Sequence, residues 1–417
     1  MDISSKRVVI TGIGLISPYG IGYEVFWDSL LAGKSCVKRI EKFDITNHPS
    51  QIAAEFTDFK ADDYLDRKQA RKMDRFTQFA VIAARKAVED ANLDLDNIDK
   101  TRFGVSVGSA AGGMETIETQ HIRLIERGPA KCSPFTVPMM IVDMAAGQIS
   151  IDLGAMGPNK ASVSACATSA HCLGDAMHLI KLGYADVMLA GGAEAVITPL
   201  AMAGFGVARA LSFRNDEPQK ASRPWDKDRD GFVMGEGSAI FVLESLEHAL
   251  ARGARIYAEF PGYGASADAN EMVAPCEDGA GAVLAMKSAL NFAGMKPEQI
   301  DYLNAHGTST PLGDKAEVRA VKSLFGEHAK KVLISSTKSM TGHMLGAAGG
   351  IETAVCCLAL RDKIVPPTIN LDSPDDECDL DFVPHKARKV DKLDATMNNS
   401  FGFGGHNASL IFTRYQD

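Results

Sequence analysis

The chain has 417 residues, 46% of them hydrophobic and 23% charged, which is the composition of a folded protein with two domains or one large duplicated one. A formal net charge of −9 disfavours nucleic acid and anionic membrane surfaces as partners, because such binding needs clustered surplus lysine and arginine. No apolar run is long enough to span a bilayer, so we expect no membrane insertion.

The first ten residues predict the lead-in to a strand rather than a signal peptide, so we expect a cytoplasmic protein. The eight cysteines form neither a Cys-x-x-Cys pair nor a disulfide framework. That usage fits a reducing compartment and argues against structural zinc.

Two glycine-containing segments near the start invite a nucleotide-binding interpretation. The strand predicted at residues 7–16 contains Gly12-Ile13-Gly14, but the third glycine of a dinucleotide fingerprint is replaced by Ser17. A phosphate loop at Gly33-Lys34-Ser35 fails in the same way, since Asp28 stands where the loop needs glycine. We therefore predict no nucleotide site.

The charged segment Asp62 to Arg75 predicts one helix with acidic residues early and basic residues late. On that helix two basic rows share one side, formed by Arg67, Arg71 and Arg75 and by Lys68 and Lys72. The rows are explained either by macrodipole complementarity on a solvated face or by a dock for an acidic partner.

An internal repeat becomes visible after residue 75. A periodic helix at 76–91 and a strand at 103–108 recur as a helix at 280–293 and a strand at 302–307. Segments 160–166 and 235–241 likewise resemble 331–338 and 404–412. Alternating strands and helices predict an α/β fold with largely parallel sheets, duplicated as halves 1–255 and 256–417.

Cys166 is predicted to lie at a strand-to-helix turn. The apolar run 161–165 predicts a strand, and Ala170, Leu173, Met177 and Ile180 follow at helical spacing. Free N–H groups and the macrodipole at a helix start favour a thiolate by about one pKa unit, so a nearby base or donor must complete ionisation. The alternative is a small buried hydrophobic residue.

Reactive side chains in the second half also follow predicted strands. His306 ends one strand, and Lys338 follows another, with His343 shortly after it. Because ligands collect at the carboxyl ends of parallel strands, we expect Cys166, His306 and Lys338 to converge in one cleft. One histidine alone is more often structural, but the combination with a strand-end cysteine indicates catalysis.

These motifs resemble the condensing enzymes of the thiolase superfamily, most closely the elongating beta-ketoacyl synthases of bacterial-type fatty acid synthesis. The resemblance runs from Val8-Val-Ile-Thr-Gly-Ile-Gly14 to Asn399-Ser-Phe-Gly-Phe-Gly-Gly405. It implies a thiolase-like fold, internally duplicated and layered α-β-α-β-α. It also implies decarboxylative condensation of an acyl chain with malonyl-acyl carrier protein, giving 3-oxoacyl-acyl carrier protein, CO2 and free carrier. The implied assembly is a homodimer, with acyl carrier protein as partner and no cofactor beyond the carrier's phosphopantetheine.

The resemblance also assigns residue roles. In the first half Cys166 is the nucleophile, and in the second half His306 and His343 form the histidine pair with Lys338 beside them. Phe403 is the gate, and its N–H joins that of Cys166 in an oxyanion hole. The remaining implied positions are Thr308, Thr310, Phe205 and Ala111 for substrate, Lys68, Arg71, Lys72, Lys131 and Arg209 for the carrier protein, and Asn304, Glu352 and Asn398 for a candidate monovalent cation.

The chemistry of the set agrees with these roles. Loss of CO2 from a malonyl group leaves an enolate whose oxygen needs two neutral N–H donors, and no strong base is required. Degradative thiolases, by resemblance, carry a second cysteine where this chain has His343. Two positions depart from the family pattern, with His406 in place of threonine and Ala111 in place of a bulkier residue. Because of them the preferred acyl chain length does not follow from the resemblance.

Two rival classes remain at this point. A polyketide ketosynthase or a type I synthase would run the same reaction on other chains. A chain-length-factor-like partner subunit or a pure binding module would be non-enzymatic, but such proteins lack the nucleophile, whereas Cys166, His306 and His343 are all present here.

Overall fold

A computed structural model describes residues 6–416, so the first five residues of the predicted strand lead-in lie outside it. The strands along the main path of its large sheet are numbered in chain order, and the strand Gly20–Ile21, which pairs only with the first of them, is left unnumbered. They are β1 (Val8–Ser17), β2 (Phe103–Gly108), β3 (Asn159–Lys160), β4 (Val187–Glu194), β5 (Gly237–Ser245), β6 (Ala258–Ala267), β7 (Tyr302–Asn304), β8 (Leu333–Ser335), β9 (Ala395–Gly402) and β10 (His406–Thr413).

Six helices pack on this sheet, and further short elements connect them. The six are α1 (Arg75–Asp90), α2 (Met144–Leu153), α3 (Thr168–Lys181), α4 (Ala280–Ala293), α5 (Pro311–Phe325) and α6 (Ala348–Asp362). Other helices are Tyr23–Leu31, Arg67–Ala70, Met114–Arg127, Thr136–Met140, Pro199–Val207, Leu246–Ala251 and Lys338–Thr341. The 3₁₀ turns are Ala61–Asp63, Lys100–Arg102, Pro129–Lys131, Ala165–Ala167, Pro218–Lys220, Pro297–Gln299, Gly326–Lys330 and Leu345–Ala347. Short strands are Gly20–Ile21, Lys38–Arg39, Ile52–Ala53, Ile364–Val365 and Arg388–Lys389.

The order of strands in the sheet repeats. Reading outward from the centre, the first half gives β1-β5-β4-β2-β3 and the second half gives β6-β10-β9-β7-β8. The two halves join through a short antiparallel pairing of Val9 with Glu259 and Ile10 with Ala258. Each strand of the first half therefore occupies the same place as the strand of the second half whose label is five higher, as β1 and β6 do. This is the duplication that the sequence predicted.

The prediction of largely parallel sheets is wrong, because the sheet is mixed. Parallel pairing is confined to β2 with β3 and β4, and to β7 with β8 and β9. The central strands pair antiparallel. Between β9 and β10 the reason is simple, since Phe403-Gly404-Gly405 is far too short for the crossover that parallel neighbours need.

The helices and strands form five layers. Helices α1 and α2 share a core with one face of β2, β4 and β5, and α4 and α5 share another with β7 and β9. Helices α3 and α6 lie between the two sets of strands, in a core that includes β1, β5, β6 and β10. The layering is therefore α-β-α-β-α, as the resemblance implied.

The glycines of β1 serve packing. A Cβ on Gly12 would lie 2.3 Å from the carbonyl oxygen of Ala87, and one on Gly14 would lie 1.8 Å from that of Ala83, both on α1. In the second half Gly262 and Gly264 on β6 meet α4 in the same way. These glycines let a helix lie directly on a strand, which explains the glycine pair without a nucleotide.

Two local predictions are wrong. The segment 62–75 is not one helix, because Asp66 and Asp74 each accept backbone N–H groups as N-caps and start new helices at Arg67 and Arg75. Arg75 turns inward to Glu236, so it does not share an exposed row with its neighbours. The strand predicted at 161–165 is also absent, since β3 ends at Lys160.

Within residues 6–416, no helix combines the length and apolar character that crossing a membrane requires. All eight cysteines, which lie inside this range, are free thiols.

Candidate active site

Cys166 lies in the tight turn that precedes α3. The turn Ala165–Ala167 is 3₁₀, and Ala165 adopts a φ of 49°, which is uncommon for a residue with a Cβ. The thiol is buried at the start of the helix, as the sequence predicted for its position.

Two histidines from the second half meet this thiol. The Nε2 atom of His343 lies 2.9 Å from the Cys166 sulfur, and the ring centroids of His306 and His343 are 5.3 Å apart. One side-chain N or S atom from each of the three residues fits within 4.8 Å of the others. The structure thus brings together three side chains that are far apart in the sequence.

Backbone hydrogen bonds fix both histidines. The Glu317 carboxylate on α5 accepts the N–H groups of His306 and Gly307, at 2.9 and 2.7 Å. His343 is held at its main chain, where its N–H donates to the Val233 carbonyl at 2.7 Å. The rings are therefore presented by a rigid backbone.

The three groups are neutral at rest. Burial raises the pKa of the Cys166 thiol to about 12, although the Lys338 charge acts in the opposite direction. Burial therefore opposes the ionisation that a helix start favours. Burial and the Lys338 charge hold the pKa of His343 well below its usual range, and His306 behaves alike. Both imidazoles are therefore neutral N–H donors.

Lys338 lies behind the histidines and does not line the cleft, contrary to the expected convergence. It forms an ion pair with Glu352 in which both side chains are 2% exposed. Burial raises the pKa of Glu352 to about 7 even with this partner present. Lys338 reaches the thiol and the histidines through its charge alone.

The cysteine and the two histidines also have the composition of a metal centre, since zinc prefers thiolate and imidazole ligands. A ligating cysteine must be deprotonated. The condensation chemistry uses the same set as a thiol and two neutral imidazole N–H donors.

A cavity of about 1020 Å³ opens onto the sulfur. Its wall is mainly apolar and includes Ala111 and Phe205. Thr308 and Thr310 lie on the wall with their hydroxyls 3.0 Å apart. The cavity has the size and character of an acyl-chain pocket with a polar approach.

Phe403 stands at the junction of the cavity and the nucleophile. Its ring is 38% exposed and lies 6.3 Å from the Phe205 ring, between centroids. Its backbone N–H donates toward the Cys166 sulfur and lowers the pKa of that thiol against the larger effect of burial. The neighbouring Gly402 allows this approach, since a Cβ there would lie 3.0 Å from the Cys166 nitrogen.

The basic residues expected to receive a carrier protein are all exposed. Arg209 lines the cavity, whereas Lys68, Arg71, Lys72 and Lys131 lie outside its wall. Lys72 stacks on the partly exposed ring of Phe135 with its ammonium 5.3 Å from the ring centre.

Three buried oxygen atoms mark the candidate cation site. Asn304 and Asn398 are paired on neighbouring strands β7 and β9. Among residues 6–416, Oδ1 of each asparagine and Oε2 of Glu352 are buried without a hydrogen-bond partner. Oxygen ligands suit hard cations, so these residues fit such an ion.

Sequence reasoning missed Glu194 and Glu317, two buried carboxylates beside the site. Glu194 accepts four donors from the cavity floor and from the turn after His343. The signal for Glu194 was available, because it is the only charged residue between Val187 and Leu200. A lone charge in an apolar run is buried only when it is paired or hydrogen-bonded.

A duplicated, five-layered α/β fold with a cysteine and two neutral histidines at one cavity defines a condensing enzyme of the thiolase type. Residues 5–249 match the family model described as "Beta-ketoacyl synthase, N-terminal domain", and residues 257–372 match "Beta-ketoacyl synthase, C-terminal domain". The chain belongs to the beta-ketoacyl synthase family.

Relatives and solved structures agree. The chain is 55% identical to "3-oxoacyl-[acyl-carrier-protein] synthase 2" of Vibrio cholerae, covering 99% of this chain and 100% of the relative. It is 51% identical to the Synechocystis protein of the same name, with 100% of both covered. A beta-ketoacyl synthase from Burkholderia phymatum superposes with a TM-score of 0.91 at 37% identity, covering 99% of this chain and 100% of that one. The type II polyketide ketosynthase solved with its acyl carrier protein gives 0.92 at 35%, with the same coverage. The predictions of family and thiolase-like fold are confirmed.

Proposed function

We propose that the chain elongates fatty acids by condensing an acyl group, held on Cys166, with malonyl-acyl carrier protein. The products are 3-oxoacyl-acyl carrier protein, CO2 and free carrier. The observation that carries this proposal is the 2.9 Å contact of a neutral His343 with the Cys166 sulfur at the head of an apolar cavity.

In the first half-reaction the Cys166 sulfur attacks the acyl thioester of a carrier. A C–S bond to Cys166 forms and the C–S bond to the carrier breaks, while the thiol proton passes to the departing carrier sulfur. A protonated thiol of pKa about 12 needs such a proton path because little thiolate exists at rest. The N–H groups of Cys166 and Phe403 would stabilise the oxyanion.

In the second half-reaction the malonyl group loses CO2, and the electron pair of the broken C–C bond becomes an enolate. His306 and His343 donate N–H bonds to the enolate oxygen, which both can do because burial keeps them neutral. The enolate carbon attacks the acyl carbonyl, the C–S bond to Cys166 breaks, and the thiolate takes up a proton.

Supporting groups follow from the same geometry. Burial and the Lys338 charge keep the histidines neutral. Thr308 and Thr310 line the approach for the phosphopantetheine arm. Asn304, Glu352 and Asn398 would hold a monovalent cation, which would add positive charge beside Lys338. No cofactor enters these steps beyond the phosphopantetheine of the carrier.

The partner in this proposal is acyl carrier protein, received at Lys68, Arg71, Lys72, Lys131 and Arg209. A structural neighbour is described as a ketosynthase in complex with its acyl carrier protein, which supports the assignment. We further propose that the protein is a cytoplasmic homodimer. Within each chain the N-terminal half would be residues 1–255 and the C-terminal half residues 256–417. Size-exclusion chromatography with light scattering tests the dimer.

The main rival is a polyketide ketosynthase, a class represented among the structural neighbours at 35% identity. The higher identity to the synthase 2 relatives, 51 to 55%, favours fatty acid elongation. Incubation with malonyl carrier and saturated acyl carriers of graded length distinguishes the two. One round of extension of saturated chains supports our proposal, and extension restricted to poly-β-keto chains contradicts it.

A further inference from the structure

The duplication gives the nucleophile a counterpart in the second half, which is Gly346. The turns Ala165–Ala167 and Leu345–Ala347 are both 3₁₀, and each leads directly into a central helix, α3 or α6. Each starts with a left-handed residue, Ala165 at φ 49° and Leu345 at φ 43°. Each also closes with the same hydrogen bond, from the third residue of the turn back to the residue before it, at 3.1 and 2.9 Å. Cys166 and Gly346 are thus equivalent backbone positions.

The strand ends that face these two turns are equivalent as well. Strands β4 and β9 both have eight residues, and their last residues are Glu194 and Gly402. A Cβ on Gly402 would lie 2.7 Å from the Ser164 carbonyl oxygen and 3.0 Å from the Cys166 nitrogen. The Glu194 side chain takes that same direction toward the other turn, and its Oε2 atom accepts the Gly346 N–H at 2.9 Å.

The turns Ala165–Ala167 and Leu345–Ala347 therefore differ in what lies beside the N–H of their middle residue. At Cys166 the facing residue has no side chain, so no carboxylate from that strand end meets the Cys166 N–H. At Gly346 the equivalent position is filled by a carboxylate oxygen of the protein itself. An oxyanion hole and its duplicate account for this arrangement.

We propose that Glu194 is a resident anion in the second half's copy of the oxyanion hole, and that it is a positioning residue joining the floor of the acyl cavity to the turn after His343. This inference rests on the proposed condensation function. Glu194 touches neither substrate nor the reacting atoms, so it acts through the backbone that it holds.

The contacts of the carboxylate define what it joins. Oε1 accepts the Ser109 hydroxyl at 2.7 Å and the Ala111 N–H at 3.3 Å. Oε2 accepts the Ala110 N–H at 2.8 Å besides that of Gly346. Ala110 and Ala111 line the cavity, so the buried Glu194 carboxylate is shared by the cavity floor and the turn Leu345–Ala347 that follows His343.

The floor and the turn are also in direct contact. A Cβ on Gly346 would lie 2.5 Å from the Ala110 nitrogen, so these two backbones touch with no room for a side chain. A long acyl chain that presses on Ala110 and Ala111 therefore presses on the turn that follows His343. The hydrogen bonds of Glu194 hold the two backbones in fixed positions relative to each other when an acyl chain occupies the cavity.

The charge of Glu194 adds a second, measurable effect. Four hydrogen-bond donors stabilise the carboxylate although burial raises its pKa. The buried charges that act on the nucleophile are Lys338, which lowers the pKa of Cys166, and Glu194 and Glu352, which raise it. Removing the Glu194 charge should make the thiol more acidic.

Glu194→Gln tests both effects because it keeps the size of the side chain and replaces one acceptor with a donor. An NH2 group facing the Ala111 N–H displaces the floor, so kcat/KM for long acyl carriers should fall at least fivefold relative to short ones. The pH midpoint for alkylation of Cys166 by iodoacetamide should fall by about half a unit. Glu244→Gln, a buried carboxylate on β5 remote from the cavity, is the control, and both quantities should match the wild type there.

A lowered melting temperature with an unchanged length ratio and an unchanged alkylation midpoint would reduce Glu194 to a structural role and overturn the proposal. If Glu194→Gln does not fold, Ser109→Ala removes one donor and keeps the charge. It should shift the length ratio in the same direction, and an unchanged ratio overturns the proposal. Alkylation needs no turnover, so a wild-type protein that elongates no acyl carrier would contradict the function without affecting this readout.

Discussion

Lys338 and Glu352 form a buried ion pair close to His306 and His343 of the candidate site. Burial lowers the pKa of His306 and of His343, and the Lys338 charge lowers both further. For the Cys166 thiol, burial raises the pKa and the Lys338 charge opposes that rise. Burial and the Lys338 charge together therefore hold the imidazoles in their neutral form across the range in which histidine ordinarily titrates.

Lys338→Met should move the acidic limb of malonyl decarboxylation to higher pH. Loss of the positive charge raises the pKa of His343, so its imidazolium persists to higher pH and the neutral form that the mechanism uses is lost earlier on acidification. The check is the pH dependence of CO2 release between about pH 5 and pH 8. Lys322→Met, a partly exposed lysine on α5, is the control. An acidic limb at the wild-type position would contradict the electrostatic role.

Ala111→Phe should shorten the longest acyl chain that the enzyme accepts. Ala111 lines the cavity, and a phenyl ring there excludes the last methylenes, each worth about 0.8 kcal/mol when buried. The measurement is the acylation rate of Cys166 against chain length. Val207→Phe, at a position that is 81% exposed, should leave the profile unchanged. An unchanged profile in Ala111→Phe would remove residue 111 from the acyl floor.

Arg71→Glu combined with Lys72→Glu should raise KM for acyl carrier protein on the order of tenfold, and the effect should shrink as salt is added. Reaction with short pantetheine thioesters should be spared, since both residues are exposed and lie outside the cavity wall. Lys330→Glu with Lys331→Glu makes the same charge change on exposed residues of the second half. Equal losses with both kinds of substrate would argue against a carrier dock.

Sequence reasoning succeeded where a local pattern determines structure. The helices at 75–90 and 280–293 and the strand at 103–108 follow from apolar periodicity, and the repeat revealed the duplication. It failed where tertiary contacts decide. The antiparallel centre of the sheet depends on which strands become neighbours. Sequence reasoning also missed a local signal, since the Asp66 and Asp74 N-caps divide a segment whose charge pattern indicated one helix.

The site shows the same division. Strand-end positions predicted that Cys166 and His306 would meet, and the structure brings them together with His343. The protonation states could not be predicted, because they depend on burial. Desolvation raises the pKa of the Cys166 thiol although the residue stands at a helix start. The lone charge of Glu194 was visible in the sequence, but the role that we propose for it was not, since its four donors come from two loops that are distant in the chain.

The central claim is that acyl transfer needs the Cys166 sulfur, whereas loss of CO2 needs only the two histidine donors. Cys166→Gln places an amide of about the size of an acylated cysteine's first atoms beside His343, so condensation should stop while decarboxylation continues. His343→Ala should behave in the opposite way. It removes one donor to the enolate, which costs on the order of 3 kcal/mol or a hundredfold or more in rate, and Cys166 can still be acylated.

The measurement that tests this claim most directly is the release of labelled CO2 from malonyl carrier, run beside transfer of a radiolabelled acyl group, for both variants. We predict CO2 release without acyl transfer in Cys166→Gln, and acyl transfer with strongly reduced CO2 release in His343→Ala. If Cys166→Gln stops CO2 release as completely as it stops condensation, the thiol takes part in decarboxylation and the division of labour is contradicted.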